Sequence, residues 1–294
     1  MKGAAARVAA QAKLNLHLRV LAREANGFHS IETIFHRIDL ADELALTVTS
    51  GERAIDVQGE GTGDGERNLA YLAAAAYAEH AGWPLGFQIA LEKKIPVGAG
   101  LGGGSADAAA VLRILNSLSP NPIPQRGLLT VAAGLGADVP FLASDAVMAL
   151  AWGHGERMLE CAPLPQRDIL LMTPEFPVST ADAYRWLDED RGNNWNALDS
   201  LVMDPLSFST WASLEKFARN DFEAPVIARH PKLDGYLEAL RHSRAQFAMM
   251  TGSGSTIFGV LDSPPMFAKV PPAHRHQVIA TKTSIGVVQP VRLG

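Results

Sequence analysis

The first feature with chemical content is a run of glycines. Residues 96–107 read Pro-Val-Gly-Ala-Gly-Leu-Gly-Gly-Gly-Ser-Ala-Asp, with five glycines in the seven positions 98–104. Without Cβ atoms, Gly98, Gly100, Gly102, Gly103 and Gly104 can adopt positive φ and bring backbone N–H groups close to a ligand. The segment that follows sets Ala108, Val111, Leu112, Leu115 and Leu118 at helical spacing, which predicts a helix over 105–118 with Ser105 at its N-cap. A glycine loop running into a helix N-terminus gathers unpaired N–H groups and the positive end of the helix dipole, a combination suited to phosphate. Two familiar loops are excluded. The Walker pattern ends in Gly-Lys-Ser/Thr, and Gly104-Ser105-Ala106 has no lysine. Gly98-x-Gly100-x-x-Gly103 matches the dinucleotide fingerprint in form, but the acid expected about 20 residues on would fall in Ser119-Pro120-Asn121-Pro122, neither strand nor acid. The catalytic-loop and metal-binding motifs of protein kinases are also absent.

Three further groups have chemical potential. Asp138, in Gly136-Ala137-Asp138-Val139-Pro140, reads first as a helix cap before Val139-Pro140-Phe141, and its residue type also suits a proton acceptor. Lys13 falls on the polar side of an alternating segment whose leucines 14, 16 and 18 face a core, where on pattern alone it reads as a solvated strand lysine. Thr251-Gly252-Ser253-Gly254-Ser255 is a second loop of small residues. Asp107 is ambiguous: it favours a helix N-terminus, yet it repels bound phosphate unless a cation lies between.

The elements that must hold these groups can be read from periodicity. Strands are expected at 12–22, 31–40, 43–49, 87–91 and 148–152, helices at 68–81 and 125–135, and a hairpin or loop over 52–67. Beyond 167 the pattern gives strands at 169–172, 247–251, 256–261 and 281–288. It gives helices at 179–190 and 236–242, and a helical stretch over 198–217 broken at Pro205. Strands and helices mix in both halves, so the class is α+β with a boundary near 155–165. With 294 residues, 47% hydrophobic and 19% charged, the chain has ample material for a core. A net charge of −5 argues against nucleic acid or an anionic membrane as the partner. Cys161 stands alone, consistent with a reducing compartment and a packed thiol. The longest apolar-rich stretch, 69–78, falls well short of the ~20 residues that cross a bilayer. A cytoplasmic protein is the expectation.

Ala12-Lys13-Leu14-Asn15, the loop at 96–107 and Thr251 to Ser255 together resemble the galactokinase, homoserine kinase, mevalonate kinase and phosphomevalonate kinase (GHMP) superfamily. Asn26-Gly27-Phe28-His29, Asn68-Leu69, the block at 136–140 and Asn220-Asp221-Phe222-Glu223 extend the resemblance in order from about residue 10 to 260. It implies a two-domain α+β fold, divided here as 1–158 and 159–294. The N-terminal domain would carry a left-handed βαβ crossover, and the C-terminal domain would be a ferredoxin-like α/β sandwich. It implies ATP and Mg²⁺ as cofactors, with no metal ligand assigned, and Asn68 beside the adenine or ribose. Pro96, Val97, Gly98, Ala99, Gly100, Leu101, Gly102, Gly103, Gly104, Ser105 and Ala106 would hold the triphosphate. Lys13 and Asp138 would be the catalytic pair. The implied acceptor is 4-diphosphocytidyl-2-C-methyl-D-erythritol, phosphorylated on its 2-hydroxyl in the non-mevalonate route to isoprenoid precursors. Asn15, His29 and Thr180 would read its base, Phe28 and Tyr184 would sandwich it, and Gly252, Ser253 and Gly254 would meet its diphosphate. Homoserine or mevalonate is the alternative acceptor, and a nucleotide-binding protein without catalysis is the alternative class. A monomer or weak homodimer is expected.

Overall fold

The computed structural model describes residues 3–59, 65–192, 204–263 and 278–294. Two long antiparallel strands, β1 (Ala5–Arg23) and β2 (His29–Thr49), open the chain around the Asn26-Gly27 turn. β3 (Arg53–Gln58), α1 (Leu69–Ala81) and β4 (Gly86–Glu92) follow. β3 and β4 pair in parallel, so α1 is the crossover of a βαβ unit, and part of the expected loop at 52–67 is strand. Asn68 caps α1 by accepting from the N–H of Ala70, and Gly82 ends it in the left-handed region.

Next come α2 (Gly103–Leu118), α3 (Gln125–Ala133), α4 (Val139–Ala143), β5 (Met148–Gly153) and β6 (Arg157–Cys161). A distant strand, β11 (Val291–Leu293), completes the first sheet, ordered β11-β1-β2-β4-β3 with β5 on β2 and β6 on β5. The two strands expected at 31–40 and 43–49 are one, because β2 changes partner along its length: residues 31–36 pair with β5 and 43–49 with β4. β6 spans the expected division at 158/159.

The second sheet contains β7 (Asp168–Met172), β8 (Ala245–Met250), β9 (Ile257–Leu261) and β10 (Val278–Lys282) in the order β10-β7-β9-β8, antiparallel between neighbours. In chain order this is 4-1-3-2, the ferredoxin-like arrangement. Helices α5 (Thr180–Arg191), α6 (Trp211–Glu215), α7 (Glu223–Arg229) and α8 (Lys232–His242) accompany it.

Three expectations need correction. The helical stretch over 198–217 is reduced to a 3-10 turn at Pro205–Phe208 and the short α6, with 198–203 outside the described residues. Asp204 and Thr210 each cap a new start, with backbone N–H groups of Ser207 and Ser213 donating to them, so the turns cannot merge. The final strand stops at Lys282 rather than 288, because the next residues cross to the first sheet, where Ser284 N donates to the carbonyl of Arg37. β1 is not half-buried. Every residue from Ala10 to Val20 is buried, since on its polar side Lys13 lies under the glycine loop while Asn15 and His17 meet Thr251 and Phe217 from the second half of the chain.

Candidate active site

The covered face of β1 is where the site forms. The β1–β2 register shifts between Gln11 and Lys13 and again between Asn15 and His17, so the segment bearing Lys13 and Asn15 is flanked by irregularities that re-aim side chains. Lys13 is 3% exposed. Its ammonium donates to Asn15 Oδ1 at 2.6 Å and to the Gly100 carbonyl at 3.1 Å, and lies 3.2 Å from Asp138 Oδ2. These three contacts match the three protons of an ammonium. Asn15 is held in turn, with Nδ2 donating to Thr33 Oγ1 at 2.8 Å and its backbone N–H donating to Thr251 Oγ1 at 3.0 Å.

Asp138 precedes α4 but makes no side-chain cap to it, which removes the capping alternative. Its carboxylate, about a quarter exposed, is available to a ligand on the side away from Lys13. Tyr184 lines the same cavity, and burial followed by the negative charge of Asp138 pushes its phenol up to about 12. The phenol therefore stays protonated at neutral pH as a donor.

The glycine loop closes over this pair. Gly98, Gly100 and Gly102 have φ of +68°, +76° and +72°. A Cβ on Gly102 would stand 2.9 Å from Lys13 Cε, and one on Gly100 only 2.3 Å from the Thr251 carbonyl oxygen. The backbone thus lies directly on Lys13 and on the second small-residue loop. Helix α2 begins at Gly103, not at Ser105, with Gly102 as an N-cap that has no side chain to offer. The expected serine cap gives way because glycine at 102 enters the left-handed region without strain, and the first-turn N–H groups of α2 are left without a side-chain cap.

A cavity of about 520 Å³ joins these groups. Lys13, Asn15, Asn68, Pro96 to Ser105, Asp138, Thr180, Tyr184 and Gly252 to Gly254 all line it. Thr180 Oγ1 and Ser253 Oγ are 3.1 Å apart across its second half. Ala106 is buried in α2, outside the lining. Phe28 and His29 are also outside it. Phe28 is 62% exposed and packs on His154 with ring centroids 5.3 Å apart, while His29 stacks on Tyr184 at 4.5 Å. The ring facing Tyr184 is therefore His29 rather than Phe28. His29 Nε2 lies 2.8 Å from Asp188 Oδ1.

Sequence reasoning missed several residues that hold the site together. Asn220 Nδ2 donates to the carbonyls of Met250 and Gly252, each at 2.8 Å, and so fixes the second loop. Asp221 accepts from Val20 N at 2.9 Å and from Arg191 at 2.6 Å, tying that segment to β1. The Asn-Asp-Phe-Glu block was visible, but only the fold shows its task. Lys93, just beyond β4, donates to Asp42 at 2.5 Å and to Asp107 at 2.6 Å beneath the first turn of α2. It is the cation whose absence made Asp107 ambiguous. Among the described residues, no three His, Cys, Asp or Glu side chains gather to hold a metal ion.

Residues 68–148 match the GHMP kinases N terminal domain and residues 207–269 the GHMP kinases C terminal. A homoserine kinase from Cytophaga hutchinsonii, 20% identical, shares the fold with a TM-score of 0.67 over 98% of this chain and 97% of its own. A solved 4-(cytidine 5'-diphospho)-2C-methyl-D-erythritol kinase aligns with a TM-score of 0.75 at 35% identity, covering 95% of this chain and 99% of that one. The fold and the glycine-loop site define a GHMP kinase. The 4-diphosphocytidyl-2-C-methyl-D-erythritol kinase of Geobacter metallireducens is 40% identical over 256 residues, 86% of this chain and 88% of its own length. The one from Pelotomaculum thermopropionicum is 35% identical over 279 residues, 93% and 96%. The chain belongs to the 4-diphosphocytidyl-2-C-methyl-D-erythritol kinase family.

Proposed function

We propose that the protein transfers the γ-phosphoryl group of ATP to the 2-hydroxyl of 4-diphosphocytidyl-2-C-methyl-D-erythritol, the compound that its relatives' names give as the kinase's acceptor. The observation that carries this reading is the Lys13–Asp138 pair, 3.2 Å apart at the floor of the cavity beneath Gly102. Phosphoryl transfer leaves little covalent chemistry to the protein, so positioning and charge stabilisation dominate. Asp138 accepts the hydroxyl proton of the acceptor. Lys13, held by Asn15 and Gly100, orients that carboxylate and opposes charge growing on the reacting oxygens. Backbone N–H groups of 98–104 and the start of α2 hold the phosphates, with Asn68 toward the nucleoside. Thr180, Tyr184 and the loop at 252–254 line the acceptor half, with His29 stacked behind Tyr184.

Mg²⁺ would arrive with the nucleotide and screen the phosphate charge; Asp138 and Asp107, each paired with a lysine through one oxygen, are the two carboxylates lining the cavity that would help to hold it. Among the described residues no helix is long and apolar enough to cross a membrane, which fits an enzyme of small soluble substrates. We take it to act in the cytoplasm, as a monomer or weak homodimer.

A coupled assay of ADP release over a panel of acceptors tests this reading. Turnover is expected with the cytidyl acceptor and not with mevalonate or homoserine, and the reverse preference would overturn it. In the same assay Asp138→Ala is expected to lower kcat by about 10²–10⁴. A loss under about tenfold would remove Asp138 from the role of base.

A further inference from the structure

The group beneath the phosphate loop carries an uneven charge. Asp42 is fully buried and saturated: Oδ1 accepts from the backbone N–H groups of Lys94 and Ile95, and Oδ2 from Lys93. Asp107, one turn into α2, is 2% exposed. Its Oδ2 accepts from Lys93, while its Oδ1 is buried without a hydrogen-bond partner among the described residues. Two carboxylates therefore share one ammonium. The surplus negative charge lies under the helix terminus that faces the cavity, which both Lys93 and Asp107 line. A Cβ on Gly103, the first residue of α2, would stand 3.4 Å from Lys93 Nζ.

A buried carboxylate oxygen with no donor is costly as an anion and much less so as an acid. The cost rises further when phosphate anions arrive overhead. We infer that Asp42, Lys93 and Asp107 are the charge-compensating part of the phosphate site: binding of the triphosphate draws one proton from solvent onto Oδ1 of Asp107, and the Lys93 ammonium, relieved of one carboxylate, balances the phosphate charge. The Asp107 carboxylate and a solvent proton become a neutral carboxylic acid, and no other bond changes. This supplies the loop with the cation that its sequence lacks at the Walker position.

The neighbours leave Asp107 as the group that titrates. Lys93 after β4 and Asp42 on β2 are the charges that face it. β1 contributes Lys13, already paired with Asp138 beyond Gly102. The other charge on α2, Arg113, lies 3.8 Å from Asp145, two turns further along. α1 carries Glu79 and His80 only in its last turn, α4 has no charged residue, and Arg126 begins α3. Burial, only partly offset by Lys93, raises Asp107 to about 7, so it is poised to change state on ligation at physiological pH. Burial opposes the Lys93 ammonium, but the two carboxylates outweigh it and its pKa is raised, so it stays charged throughout.

The inference rests on the nucleotide reading above, and calorimetry separates the two. A non-hydrolysable ATP analogue with Mg²⁺ is titrated into the full chain at pH 7.5, in two buffers of different protonation enthalpy. The parent is expected to take up about half a proton or more per nucleotide bound, and Asp107→Asn correspondingly less. Between pH 7 and 8 the parent's Kd is expected to rise by up to about fivefold, because a carboxyl near 7 loses the proton that binding must restore, while that of D107N stays flat. Equal proton counts in parent and variant would overturn the inference. So would zero uptake in the parent alone, a result that does not depend on the variant folding. Absence of any binding heat would instead sink the nucleotide reading itself.

Discussion

Lys13 shows how a strongly polar residue is used inside a strand. An ammonium at 3% exposure survives only if its donors are matched, and here Asn15, the Gly100 carbonyl and Asp138 match them. Asn15, expected to read the acceptor base, lines the cavity while its side chain bridges Lys13 and Thr33, an arrangement that suits a positioning role. Asn15→Ala removes a charge-assisted bond and is expected to cost about 1.5–3 kcal/mol of stability, measured by urea unfolding. Its kcat is expected to fall while the KM for the acceptor changes little, and a large rise in that KM with kcat intact would restore the base-reading role. The types and places of Lys13 and Asp138 were legible in the chain, and the resemblance paired them. Lys93 was not legible, because the partner that explains it, Asp42, lies 51 residues earlier on a different strand. The stacking of His29 on Tyr184 was equally hidden. Adjacent residues at a strand's start differ only in the face they present, and that is decided by where α5 lands.

At the level of elements, the two small-residue loops are one structure. Gly100 and Gly252 lie so close that a Cβ on either would fall within 3 Å of backbone carbonyl oxygen on the opposite loop. Gly100→Ala would meet that contact and also lose the left-handed conformation that costs other residues about 1–2 kcal/mol. The variant is expected to melt several degrees lower and to raise the KM for ATP at least about tenfold. An unchanged thermal midpoint with normal ATP use would show that the loops are free to separate. Helical and alternating periods placed α1, α2 and β4 well, because each buries one continuous apolar face, and β9 was legible as a short run buried on both faces. The short pieces at 205–215 escaped, because hydroxyl and carboxylate caps divide them locally despite an apolar pattern that runs on. β3 and β11 escaped for the opposite reason: both are edge strands with few buried residues, so they carry almost no pattern.

Across the whole molecule, pH response has a second and independent origin. His36 on β2 is fully buried, with Nδ1 2.7 Å from the Arg37 carbonyl and Nε2 lacking any partner among the described residues. Burial lowers it from 6.5 to about 4, so the folded state refuses a proton that the unfolded chain accepts. Stability from this group is complete above pH 6.5 and is lost as pH falls through 4. Between pH 7 and 4.5 the loss is about 2–3 kcal/mol, and urea midpoints at the two values measure it. His36→Gln is expected to flatten that slope, and an unchanged slope would place the acid sensitivity elsewhere. β1 and β11 add a constraint of another kind. Residues 291–293 pair with residues 5–7, at the outer edge of the first strand made. During synthesis that edge stays open while the whole second sheet is still being produced, and an open edge invites pairing with other chains. The first sheet is thus begun by a segment that precedes the second sheet in the chain and finished by one that follows it.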